Sequence, residues 1–213
     1  MNTKEIRDYK ANLKLSETQR SILIGALLGD AHLETQDKRK TYRLKIEHSI
    51  KQTDYTDWLH NQFKEWIRSG IYKKRKGDNE YVGFTTYSHG AFRFYAKLFY
   101  DSFGKKRIPK IFNKLIDPLS LAIWFMDDGS LKSLKHRTYI IHSLGFKKED
   151  LEVVQKTILK KFNIESSLHR QKGKYWRIYI LSKSAGRFEN LIMKYISPFP
   201  SMKHKMVNKM PKK

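Results

Sequence analysis

Two long apolar runs in this chain end in carboxylates. SILIGALLG, residues 21–29, is followed by Asp30, and LSLAIWFM, residues 119–126, by Asp127, Asp128 and Gly129. A helix ending at either point would place acids at its own negative C-terminal end, which electrostatics disfavours. Surface turns would explain one isolated Asp-Gly, since Asp is common in turns. Here the preceding runs are too apolar to lie on a surface. If the two helices pack together, their carboxylates converge, and converging negative groups need a cation. Oxygen donors select a hard divalent ion such as Mg²⁺. Such an ion polarises a phosphate, activates water and neutralises a leaving oxygen, which is phosphodiester chemistry.

The composition supplies the matching partner. Lys and Arg number 44 against 21 Asp and Glu, a formal charge of +23, and the pI is near 10.0. An A+T-rich gene would also inflate lysine, but this charge and pI favour nucleic acid. An anionic membrane fits less well, because no basic amphipathic helix with a continuous apolar face stands out. The absence of cysteine excludes disulfides, thiolate zinc sites and cysteine nucleophiles. No apolar run approaches the ~20 residues of a bilayer span. The opening MNTKEIRDYKANLKL lacks the apolar centre of a signal peptide and the acid shortage of a transit peptide. The expectation is a soluble protein, used where it is made or imported by another signal.

The elements that must position the acids occur twice. Ser16 caps a helix with Gln19 three places on, and the helix stops at Gly29-Asp30. A basic hairpin over Ala31–His48 turns at TQDKRK. A helix follows over Tyr55–Ile67, then a hairpin in IYKKRKGDNEYVGFTTYS turning at Gly77-Asp78-Asn79, then an aromatic helix, AFRFYAKLFYDSF. The second pass begins at the Asp117-Pro118 cap. It continues through a hairpin around LKSLKHR, the amphipathic helix KEDLEVVQKTILKKF, the hairpin ESSLHRQKGKYWRIYIL and the helix AGRFENLIMKYI. Ser88, Ala91, Arg93 and Phe94 stand 94 places before Ser182, Ala185, Arg187 and Phe188. The expectation is an α+β protein of two pseudo-symmetric lobes, residues 1–109 and 110–213.

LIGALLGDA at Leu23–Ala31 and LAIWFMDDG at Leu121–Gly129 resemble the two signature copies of the LAGLIDADG homing endonucleases, in their double-motif monomeric form. The likeness runs roughly from Leu15 to Met206 and includes KRIP and PSMKHK. It implies two αββαββα lobes, with the signature helices at their interface and saddle-shaped antiparallel sheets over duplex DNA. It further implies cleavage of both strands across the minor groove, short 3′ overhangs and intron mobility. Asp30 and Asp128 would each bind a divalent metal, Mg²⁺ with Mn²⁺ or Ca²⁺ substituting in binding. Lys106 and Lys205 would be the active-site lysines, with Lys203 and Lys209 as neighbouring alternatives to Lys205. Glu47 and His142 fall where the family has polar groups around solvent. The second copy has Ile123 and Asp127 where the first has Gly25 and Gly29. Asp127 is expected to be a helix-end residue or a group behind the ligand Asp128.

The four hairpins carry Lys38, Arg39, Lys40, Arg43 and Lys45; Lys73, Lys74, Arg75 and Lys76; Lys132, Lys135, His136 and Arg137; and Arg170, Lys172, Lys174 and Arg177. Two-stranded ribbons fit the major groove, with tips on phosphates and faces on base edges. Arg43, Lys45 and Arg177, inside strands, are the candidates for reading bases. Tyr81, Tyr175 and Trp176 are expected to pack rather than stack on bases. The rival reading is an RNA-splicing maturase, with intron RNA as partner, or a non-cleaving DNA-binding protein of the same fold. An organelle-encoded gene would place the protein in a mitochondrion or chloroplast, and otherwise a bacterial cytoplasm is expected.

Overall fold

A computed structural model describes residues 3–67, 69–133 and 138–206. A short helix, α1 (Lys4–Ala11), precedes the first repeat. Helix α2 (Glu17–Leu28) opens on a reciprocal capping box between Ser16 and Gln19. Strands β1 (His32–Glu34) and β2 (Arg43–Ser49) lead to α3 (Thr53–Gln62), and β3 (Tyr72–Lys76) and β4 (Asn79–Thr85) lead to α4 (Phe92–Phe99). After the one-turn helix α5 (Phe112–Leu115), helix α6 (Pro118–Asp128) starts the series again. Then come β5 (Gly129–Ser133), β6 (Thr138–Ile141), α7 (Lys148–Phe162), β7 (Ser166–Gln171), β8 (Tyr175–Ile180) and α8 (Ser182–Ile196).

The strands form two antiparallel sheets of identical plan, β1-β2-β4-β3 and β5-β6-β8-β7. In β2 the pleat buries Leu44, Ile46 and His48 and turns Arg43, Lys45, Glu47 and Ser49 outward. The period of two thus separates an apolar face, packed on helices, from a polar one. Between the halves α2 packs directly on α6. Both are apolar all round because one side meets the partner helix and the other sides meet the sheets and outer helices. No helix among the described residues is long and apolar enough to cross a membrane.

Three expectations change. The helix expected over Tyr55–Ile67 ends at Gln62 and continues as a 3₁₀ turn over Lys64–Trp66. The tighter turn buries both Phe63 and Trp66 and lets the Trp66 carbonyl accept from Tyr87 N at 2.7 Å. The aromatic helix stops at Phe99, where Tyr100 turns extended and bridges to Lys106. The four identities 94 places apart are not structurally equivalent: Phe94 is 55% exposed while Phe188 is fully buried. The buried stripe Phe92, Tyr95, Ala96, Phe99 corresponds in spacing to Ala185, Phe188, Glu189, Ile192, one place out of step with the identities. Burial periodicity, rather than residue identity, sets the register of a helix on its core.

Candidate active site

The close approach of α2 and α6 depends on glycine. A Cβ on Gly25 would lie 2.4 Å from the Ser120 carbonyl oxygen and 2.6 Å from Ile123 Cβ. One on Gly29 would lie 2.5 Å from Asp127 Cβ. The bulkier residues of the second copy therefore fill the notches of the first.

Gly29 leaves helical geometry (φ −95°, ψ −130°), so the Asp30 N–H loses its helical acceptor. Asp127 supplies one from the other half, its Oδ2 accepting from Asp30 N at 3.2 Å. Its Oδ1 accepts from the Tyr55 hydroxyl at 3.0 Å and stands 3.5 Å from His48 Nε2. The Asp127 side chain is 1% exposed. Asp127 is thus more than a helix-end residue: it is a buried group spanning the interface, and among the described hydrogen bonds it backs Asp30 rather than Asp128. Asp128, the last residue of α6, accepts from Trp124 Nε1 at 3.3 Å, and its carbonyl accepts from His142 N at 2.9 Å.

Two lysines meet the negative helix ends. Lys106 Nζ donates to the Gly29 carbonyl at 2.6 Å. Lys205 Nζ donates to the Met126 carbonyl and, at 3.1 Å, to that of Asp127. Gly29 and Asp127 occupy the same place in the two signature copies, so the lysines play matching parts. Each satisfies carbonyls the helix leaves unpaired and offsets its dipole. Lys203 is exposed, and Lys209 lies outside the described residues.

The carboxylates nevertheless repel one another. Burial, and then Asp30 and Asp127, push Asp128 up to about 8, against the opposing effects of Trp124 and Lys106. Asp30 is also raised, by desolvation first and Asp127 second. Its residue surface is open, yet on a concave floor a group can expose area while little water surrounds it. Burial lowers Lys106 and Lys205, with the nearby acids partly offsetting it. A site whose two lysines leave its acids still inclined to hold protons suits a divalent cation. Asp30, His48 and Asp127 bring donor atoms within 4.8 Å of one another, but both Asp127 oxygens already accept hydrogen bonds, from Tyr55 and from Asp30 N, which leaves Asp30 as the open carboxylate of the three. The oxygens of Asp30 and Asp128 suit a hard ion, and the nitrogen of His48 adds a borderline donor.

Beside Asp30 a cavity of about 300 Å³ is lined by Lys45, Glu47, His48 and Lys76 among others. Glu47 pairs with Lys76 Nζ and accepts from the Tyr72 hydroxyl at 3.2 Å. Burial raises its pKa, but these partners lower it more. On the other side His142 Nε2 lies 2.9 Å from Ser130 Oγ. Its pKa is lowered by burial, then by Arg177 and Lys205.

Strand register sorts the basic residues. Arg43 and Lys45 point outward, but both pair with Glu34, at 2.8 and 3.4 Å. Lys74 and Lys76 pair opposite Tyr81 and Asn79 and share the outward face of β3 with Tyr72. Lys73 and Arg75 alternate to the other face. Lys38, Arg39 and Lys40 lie in the β1–β2 turn, with Lys38 and Arg39 left-handed (φ 55° and 68°). Arg177 faces outward opposite His169, its Nε buried without a described partner. Arg170 alternates with Leu168 to the helix side and lies over Trp176. Lys132 lies over Tyr179, and Lys174, near the β7–β8 turn with Lys172, over Tyr175. Lys135, His136 and Arg137 lie outside the described residues. Sequence reasoning did not single out Tyr55, His48 or Trp124. For His48 a signal was present: a histidine at an apolar-face position of an alternating strand.

Paired acids at the ends of two packed apolar helices, with two antiparallel sheets that turn basic residues outward, define a class of proteins, and the comparisons agree. The LAGLIDADG DNA endonuclease family model matches residues 20–188, and the chain belongs to that family. It is 32% identical over 216 residues to the Probable intron-encoded endonuclease 1 of Wickerhamomyces canadensis, covering 97% of this chain and 91% of that protein. The solved homing endonuclease I-WcaI bound to its DNA recognition sequence superposes with a TM-score of 0.87 at 31% identity, over 98% of this chain and 95% of that one. Cytochrome b mRNA maturase bI2 of Saccharomyces cerevisiae is 29% identical over 206 residues, 88% of this chain but 47% of that protein.

Proposed function

We propose that this chain is a site-specific endonuclease that hydrolyses both strands of duplex DNA across the minor groove, leaves short 3′ overhangs and promotes intron mobility. The observation that carries this is the convergence of Asp30 and Asp128 at the ends of α2 and α6, with Lys106 and Lys205 on the same helix ends. Asp30 and Asp128 would each hold a divalent cation, Mg²⁺ in the working enzyme and Mn²⁺ or Ca²⁺ as substitutes in binding. When bound, the metal supplies Lewis acidity toward a phosphate oxygen and a lowered pKa for water. Lys106 and Lys205 add positive charge where the phosphorane develops. Glu47 and His142 orient water. The outward basic residues of the four hairpins hold the phosphates, and Arg177 reaches for base edges. In this reading residues 1–109 and 110–213 form two lobes of a monomer, one per strand.

The test is Asp30→Asn and Asp128→Asn on a duplex that the protein itself selects from a random-sequence pool in Ca²⁺. Each variant should lose double-strand cutting in Mg²⁺ while retaining duplex affinity. Undiminished Mg²⁺-dependent cutting by Asp128→Asn would remove its metal role. A second reading rests on the maturase relatives, which include a Debaryomyces hansenii protein 29% identical over 212 residues. A splicing assay on the intron carrying the gene decides whether this chain also assists RNA. Organelle encoding of that gene would place the protein in a mitochondrion or chloroplast.

A further inference from the structure

The two halves do not complete their sites in the same way. Around Asp128 every described hydrogen bond to the carboxylate or carbonyl comes from its own half: Trp124 on the carboxylate, His142 N on the carbonyl. The residue's backbone also remains within α6. Asp30 stands outside its helix, and its N–H is held by a carboxylate from the opposite half, Asp127, at 3.2 Å. No reciprocal bond is available, because the residue matching Asp127 is Gly29, the notch that Asp127 fills.

Asp127 is itself tightly held. Tyr55 donates to one oxygen at 3.0 Å, and the His48 ring approaches the same oxygen. His48 is fixed at Nδ1 by Thr56 Oγ1, 3.0 Å away, and stacks at a tilt on Tyr55 with centroids 5.0 Å apart. Tyr55 in turn packs on Phe199, in the segment that leads to Lys205. A buried polar network with its partners in place has one geometry.

We propose that Asp127, held by Tyr55 and His48, is a positioning residue for the Asp30 centre alone, so that the two strand-cutting centres are unequal and can be uncoupled by mutation. A displacement of about 1 Å at a reacting group costs roughly 10²-fold in rate. Loss of the clamp therefore acts on one strand, and the nicked duplex accumulates.

This rests on the endonuclease reading, and two readouts separate the two. The first follows each strand of the selected duplex with its own fluorophore. Asp127→Ala should slow one strand by about 10- to 100-fold and the other by no more than about twofold. Tyr55→Phe, which removes one hydroxyl and keeps the ring packing, should act in the same direction more weakly, with folding checked by thermal melting. The second readout is Ca²⁺ titration calorimetry, which needs no cutting: Asp127→Ala should weaken one of two sites by about tenfold or more and leave the other. Selective weakening of one Ca²⁺ site in a protein that cuts nothing would sustain the clamp and defeat the endonuclease reading. Equal slowing of both strands, or equal or absent change at both Ca²⁺ sites, overturns the clamp.

Discussion

Replacing Gly25 by alanine tests whether the helix contact that brings the acids together is set by the absence of a single methyl group. The new Cβ would lie 2.4 Å from a backbone oxygen, that of Ser120, and 2.6 Å from the branch point of Ile123. Neither atom can swing aside as the tip of a flexible side chain would. Ordinary contact begins about 1 Å further out, so α2 and α6 must separate or shear by about that much. Overpacking of a core costs about 1–3 kcal/mol, and a clash with backbone belongs at the upper end. At about 2–4 °C per kcal/mol for a chain of this size, melting should fall by roughly 6–12 °C. Because Asp30 and Asp128 sit at the far ends of the same two helices, cutting of the selected duplex should fall about 10²-fold even well below the melting temperature. Adding Ile123→Gly removes the Cβ that the new methyl meets and leaves the Ser120 oxygen, so the double variant, set against each single one, should recover part of the loss, with a coupling of about 1 kcal/mol. Thermal melting and single-turnover cleavage, measured on all three variants, decide the matter. A Gly25→Ala protein that melts within about 1 °C of the parent and cuts at its rate would refute the close-packing argument.

The acids also make metal binding depend on pH. Asp128, ordinarily near 3.8, is raised to about 8, so the metal-free folded protein holds a proton there at neutral pH that the cation must displace. Affinity for Mg²⁺ should therefore rise by up to about tenfold per pH unit below about 8 and level off above it. The same shift makes metal-free stability fall as pH rises from about 4 to about 8, since there the unfolded chain has released the proton. Calorimetry in buffers of different ionisation heat should detect its release; affinity unchanged from pH 6 to pH 8 would contradict the assignment. On the DNA face, Arg177→Ala should cost about 1–3 kcal/mol of target affinity and relax sequence preference. Arg170→Ala, on the helix side of β7, should change it by about twofold at most. Fluorescence anisotropy in Ca²⁺ compares the two, and equal losses would mean the register does not sort readers from bystanders.

Much of this architecture was legible along the chain because local patterns report local structure. The Ser16–Gln19 box and the Asp117 cap before Pro118, the bounds of α7 and the Gly77-Asp78 turn all rest on contacts between residues close in sequence. The duplication was legible as an order of elements. It misled where four identities stood in for register, because Phe94 and Phe188 face opposite environments. Asp127 illustrates a different limit. Its sequence position says only that it ends a helix, whereas its partners Asp30, Tyr55 and His48 lie 97, 72 and, by numbering, about 79 residues away.

The sequence by itself determined that this chain would be basic and duplicated, with carboxylates ending two buried helices, because charge, period and capping are properties of short stretches. Only the tertiary structure decided that Gly29 is the slot for Asp127, that each helix end meets its own lysine, and that Arg177 faces outward while Arg170 does not. Those outcomes depend on which atoms the helix crossing and the strand register bring within a few ångströms, and no local pattern carries that information.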